Sequence, residues 1–244
     1  MPTAPRRVFL LSPANAGGER ARLVLNANAR FDLAERLRTG DVSLGEVFSF
    51  VSGLYFRGKL AYARAFAAPP RGVPGAVVIT GGYGLVPPDT PVSLAQLLEI
   101  AAVPIDAGRR AYREPLERDA RLLLEACGRR CSFVLLGSIA TQKYVEPLVS
   151  VFGERLLFPI DFVGRGDMSR GGLLLRCARA GIELEYAPVA GSIRHGPRPP
   201  RLPRIRPGIE PPVALDRPLS PHPVATSPPA TPRSRKKSPG LPRT

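Results

Sequence analysis

Four short apolar runs constrain this chain more than any other feature. They are VFLL (Val8–Leu11), AVVIT (Ala76–Thr80), SFVLLG (Ser132–Gly137) and RLLFP (Arg155–Pro159). Each is about the length of one strand and has no polar alternation, so each reads as a strand buried on both faces. Helical patterns lie between them. A later run, ELEYAPV (Glu183–Val189), reads as a last strand. This alternation predicts an α/β fold: a mixed, mainly parallel sheet covered by helices on both faces.

The helical segments carry their own signals. FDLAERLR (Phe31–Arg38) has Asp32 as its expected cap. Ser43 and Glu46 form a capping-box pattern ahead of an apolar stripe, Val47, Phe50, Val51, Leu54 and Tyr55. Gly53 and Gly58 are expected to break that stretch into two helices. SLAQLLEIAA forms a short helix, and Asp106–Gly128 a longer one with Pro115 starting a turn or a kink. Helices follow the third strand and, through Ala180, the fourth.

Composition divides the chain in two. From Arg194 onward there are 11 Lys/Arg against 2 Asp/Glu, and 15 of the last 51 residues are Pro. Such a segment buries too little apolar surface to offset its ordering entropy. The expected organisation is a single α/β domain over 1–193 and a disordered, basic, Pro-rich tail over 194–244. RSRKKSP (Arg233–Pro239) is a candidate basic arm. The whole chain carries a formal charge of +15, which favours polyanionic partners.

Several functions are excluded. The two histidines, His195 and His222, lie at or beyond the edge of the predicted domain. A histidine triad, an HExxH zinc site or a histidine base in the core is therefore ruled out. Cys127, Cys131 and Cys177 are an odd count without a secretory framework, expected as reduced thiols in a cytoplasmic protein. No metal and no cofactor is called for. The N-terminal apolar run is too short for a signal peptide, and no segment approaches a membrane span.

The four strands end in loops rich in glycine and small polar residues: SPANAGG, TGGYGLVPPD, GSIATQKY and DFVGRGDMSRGG. In parallel α/β sheets, ligands bind beyond the carboxyl ends of the strands. A shared site is expected there. Ser169 is the expected N-cap of the last helix, with Arg165 and Arg170 placed to grip an anion at its free N–H groups. Tyr83 is a candidate for stacking on a base, or else a packed loop aromatic. Asp89 and Asp161 are the carboxylates offered for acid–base work, with turn formation as the competing role of Asp89. Lys143 and Tyr144 open a helix, as a solvated face and a core contact or as part of the site. Arg57, Lys59 and Arg64 form a basic stretch that either tracks a phosphate backbone or faces solvent.

The order of these motifs resembles the bacterial peroxide-stress YaaA-type proteins. The carrying residues are VFLLSPA with Ser12, then Tyr83-Gly84-Leu85 followed by Pro88-Asp89, then Ser138 with Tyr144, and Arg165-Gly166-Asp167-Met168-Ser169-Arg170. The likeness spans about residues 8–190. It implies a positively charged cleft, lined by the motif arginines and Tyr83, that binds DNA in a protein linked to oxidative stress. The Tyr-Gly-Leu-x-x-Pro-Asp turn is also similar to that of uncharacterised bacterial proteins found among nucleobase-modification enzymes.

The expected function is binding of nucleic acid or a nucleotide-like anion at the strand ends. Ser12, Tyr83, Ser138, Tyr144, Arg165, Ser169 and Arg170 are the expected contacts. The alternatives are an enzyme acting on a nucleobase or nucleotide without a histidine, and a scaffold whose Pro-rich tail recruits partners.

Overall fold

A computed structural model describes residues 5–192 and 195–202. Six strands form one sheet: β1 (Arg6–Leu11), β2 (Ala76–Thr80), β3 (Gly84–Val86), β4 (Cys131–Leu136), β5 (Leu156–Pro159) and β6 (Tyr186–Pro188). Their spatial order is β3-β2-β1-β4-β5-β6. The central four are parallel, and they are the four apolar runs of the sequence. The edge strands β3 and β6 are antiparallel to their neighbours. The sheet is therefore mixed and mainly parallel.

From β1 the chain adds β2 on one side, then returns to place β4 on the other. The carboxyl ends of β1 and β4 are thus the topological switch point, where connections diverge and leave a crevice. Alternation along each strand splits the core. Phe9 and Leu11 face one apolar cluster, and Val8 and Leu10 face the other.

Eight α-helices cover these faces among the described residues: α1 (Glu19–Leu25), α2 (Asp32–Thr39), α3 (Leu44–Ser52), α4 (Leu54–Phe66), α5 (Leu94–Ala102), α6 (Arg110–Cys127), α7 (Gln142–Phe152) and α8 (Asp167–Ala180). The first cluster holds buried residues of α1–α5 and α8, and the second those of α6 and α7.

Local chemistry explains several boundaries. Ser43 Oγ accepts from the Glu46 N–H at 3.3 Å, but the Glu46 carboxylate turns to Arg36 instead of closing the capping box. The complete box forms at Ser93 and Gln96. Asp32 is the first residue of α2, not its cap, and Phe31 occupies that position. Of the two glycines expected to break the α3–α4 stretch, only Gly53 does so. Gly58 stays helical because α4 and α8 cross there backbone to backbone. A Cβ on Gly58 would lie 2.6 Å from the Gly171 carbonyl oxygen.

The strand β3 and the helix α1 were not foreseen. Both are short, and β3 lies within the Tyr83-Gly84-Leu85 turn. Gly84 has φ +66°, and a Cβ there would meet the Asp119 carboxylate and the Pro115 carbonyl. That carboxylate accepts from the Leu85 N–H at 3.0 Å. The turn thus locks the sheet edge against α6.

The packed region runs past the expected boundary at 193. Leu202 packs on the first cluster, and the Pro200 carbonyl accepts from Arg165 at 3.5 Å. The apolar Leu202 gives this stretch something to bury. The rest of the expected tail, with the basic arm at 233–239, lies outside the described residues. No helix among the described residues is long and apolar enough to cross a membrane.

Candidate functional site at the switch point

Ser12 is the first residue beyond β1. Its N–H donates to the Leu136 carbonyl at 3.2 Å, and its Oγ lies 3.3 Å from the same oxygen. These contacts tie the end of β1 to the end of β4. Gly137 permits the approach, since a Cβ there would lie 3.0 Å from Ser12 Cβ.

Lys59 reaches this point from α4. Its Nζ lies 2.5 Å from the Ser12 carbonyl oxygen and 2.9 Å from Ser12 Oγ. The residue is only 1% exposed. It makes no ion pair among the described residues. The nitrogen sits over the rings of Tyr55, at 4.4 Å, and Phe56, at 5.0 Å. Burial pushes its pKa down to about 7; Asp167 opposes the shift and Arg170 adds to it. An ammonium buried without a carboxylate partner loses hydration that the two Ser12 oxygens and the aromatic rings replace only in part.

A cavity of about 710 Å³ opens in front of this pair. Loop residues after three of the four parallel strands line it: Ser12–Gly17 after β1, Gly81 after β2 and Ser138 after β4. Phe48 and Val51 of α3 and Leu97 and Ile100 of α5 add apolar surface. The first turns of α7 and α8, the helices that follow β4 and β5, add Lys143, Tyr144 and Asp167. Tyr55 lines the cavity from α4. Its buried hydroxyl makes no well-formed hydrogen bond among the described residues, and Arg170 is the charged side chain that acts on it most strongly. Burial raises the pKa of Tyr55 and of Tyr144, so both remain protonated phenols.

The predicted residues separate into two groups. Ser12, Ser138 and Tyr144 line the cavity together. Tyr83, Asp89, Asp161, Arg165, Ser169 and Arg170 are not among its lining residues. Tyr83 is half-exposed, and its hydroxyl donates to the Glu99 carboxylate. Asp89 pairs with Arg64 at 2.6 Å on the surface. Asp161 is 3.9 Å from Arg165; burial raises its pKa and Arg165 opposes that shift.

The arginines serve the backbone. Arg170 is buried, and its Nη2 and Nε lie 2.9 and 3.3 Å from the Phe162 carbonyl. Arg165 reaches Ser169 Oγ at 3.4 Å. The helix α8 starts earlier than expected, with Gly166 as its N-cap, so Ser169 is the third helical residue and caps nothing. This register puts Asp167, rather than the motif arginines, at the cavity.

Lys59 is the residue that reading the sequence placed on the wrong side. It was grouped with Arg57 and Arg64 as a basic stretch, but only those two face outward. The signal was its spacing. Lys59 follows Tyr55 by four and precedes Tyr62 by three, which puts it on the apolar face of α4.

The three cysteines are free and buried. Burial pushes the Cys127 thiol up to about 12. No cluster of three or more metal-ligating side chains exists among the described residues. No family model matches the chain, and neither does any curated protein or solved structure.

Proposed function

We propose that the chain binds a nucleotide-like small molecule in the cavity at the switch point. The observation that carries this reading is the convergence of the loops after β1, β2 and β4 and the first turns of α7 and α8 on one space of about 710 Å³. That volume suits a ligand of nucleotide size and is too small for a nucleic-acid duplex. The apolar surface from Phe48, Val51, Leu97 and Ile100 suits a planar base. Lys143 in the first turn of α7 favours an anion, while Asp167 at the start of α8 brings a carboxylate to the same cavity.

The test is thermal unfolding of the full chain with nucleobases, nucleosides, nucleoside monophosphates, inorganic phosphate and duplex DNA. A ligand at a hundredfold excess over its Kd stabilises by about 2.7 kcal/mol, which for a domain of this size raises Tm by roughly 5–10 °C. The expected result is such a shift with a nucleoside monophosphate, reduced in Lys143→Ala. A shift with duplex DNA alone would replace this reading with nucleic-acid binding. No shift with any member of the panel would leave the nucleotide reading without support.

A further inference from the structure

The buried lysine poses a question that ligand binding does not answer. A cavity needs no amine hidden behind its wall. Lys59 is 1% exposed and does not line the cavity, so a bound molecule or water would meet its Nζ only beside Ser12 Oγ. What it touches is Ser12, which does line the cavity.

We propose that Ser12 and Lys59 form a serine–lysine dyad in which Ser12 Oγ is the nucleophile and Lys59 Nζ the general base. The substrate class is a carboxylic ester or amide of a molecule that fits the cavity. The proposal rests on the reading of that cavity as a ligand site.

The hydrogen-bond geometry fits both protonation states of the amine. A neutral amine has two N–H donors and one lone pair. It donates to the Ser12 carbonyl at 2.5 Å and accepts the Ser12 hydroxyl proton at 2.9 Å. A protonated amine donates to both oxygens and points its third hydrogen over the Tyr55 ring. The Ser12 hydroxyl then turns to the Leu136 carbonyl, 3.3 Å away. The serine thus has a resting acceptor and an activating one.

The charged groups that influence the amine are Asp167 and Arg170 of α8, which act in opposite directions. Tyr55 on its own helix and Tyr144 on α7 stay neutral, since burial raises their pKa values. Burial brings Lys59 to about 7, where a lysine is both available as a base and able to return its proton.

The steps balance within these two residues and water. Ser12 Oγ bonds to the carbonyl carbon as its proton passes to Lys59 Nζ. The carbon–heteroatom bond breaks, and the leaving alcohol or amine takes that proton. Water then adds to the acyl-serine as it loses a proton to Nζ, the bond between the acyl carbon and Ser12 Oγ breaks, and Nζ returns that proton to Oγ as the acid leaves. Ser138, Tyr144 and Tyr55 line the same cavity and carry hydroxyls that would serve as donors to the developing oxyanion.

The experiment is labelling of the full chain with a fluorophosphonate, which phosphonylates an activated serine and releases fluoride. Site and rate are read by peptide mass spectrometry. It needs no nucleotide, so its failure is separable from failure of the binding reading. The expected result is labelling of Ser12 at a rate that rises about tenfold per pH unit below about 7 and levels off above it. Ser12→Ala is unlabelled, and Lys59→Met labels Ser12 at least about 100-fold more slowly. Absence of label at Ser12 between about pH 6 and 9, or an equal rate in Lys59→Met, overturns the dyad. If Lys59→Met does not fold, the pH profile of the unaltered protein decides: a flat profile overturns it.

Discussion

Lys59→Met is expected to make the protein more stable at pH 7, by about 1–4 kcal/mol, the range found when buried ion pairs are replaced by apolar groups of similar volume. The reason is linkage. In the unfolded chain the amine has its ordinary pKa of 10.5, whereas burial lowers it to about 7 in the folded protein. Between these values the unfolded state binds more protons, so folding stability rises with pH. Below about 7 the full cost of keeping a charged amine buried is present. Above about 10.5 it is absent. The methionine side chain carries no such cost, so its advantage is greatest at and below neutrality and shrinks as pH approaches 10. Urea unfolding of both proteins at pH 7 and pH 10 checks this. An equal difference at the two pH values, or a loss of stability at pH 7, would show that Lys59 is not held as described. Residues that stabilise a protein when removed are characteristic of function retained at the expense of stability.

Gly171→Ala is expected to destabilise the fold by about 2–3 kcal/mol, lowering Tm by roughly 5–10 °C. A Cβ at this position would lie 2.7 Å from Tyr55 Cα and 2.8 Å from the Leu54 carbonyl oxygen. These are backbone atoms, so no side-chain rotation relieves the clash. The helices α4 and α8 must move apart. That crossing also sets the site, because α4 carries Tyr55 and Lys59 while α8 carries Asp167 and Arg170. The substitution is therefore expected to weaken ligand-induced stabilisation as well. Thermal unfolding with and without a nucleoside monophosphate measures both effects. A fully stable Gly171→Ala protein would contradict the close helix crossing.

The sheet was legible because its four central strands are continuous apolar runs separated by helix-length segments, a pattern that admits few other arrangements. Parallel strands put their carboxyl ends on one edge, and the loops after β1, β2 and β4 meet there at one cavity, which the loop after β5 does not line. The side chains filling that cavity were harder to read. The segment at Arg165–Arg170 looked like an anion-gripping helix start because its arginines and serine flank glycines. The start of α8 at Asp167 rotates them away, and Arg170 is engaged by the Phe162 carbonyl instead. Helix register of one or two residues decides which side chain faces a cavity, and capping preference alone does not fix it. Lys59 was missed for a different reason. Lysine is almost never fully buried, so its charge suggested solvent. Only the apolar periodicity of α4 pointed inward, through Tyr55, Lys59 and Tyr62. The edge strand β3 was hidden within three residues of a turn.

The central claim is that the switch-point cavity is a ligand site. A crystal structure of the protein grown with whichever nucleoside monophosphate raises Tm most tests it directly. The expected result is the base against Phe48, Val51, Leu97 and Ile100, with the phosphate toward Lys143 and the start of α7. A nucleotide bound on the outer surface, with the cavity beside Ser12 and Ser138 left to solvent, would contradict it.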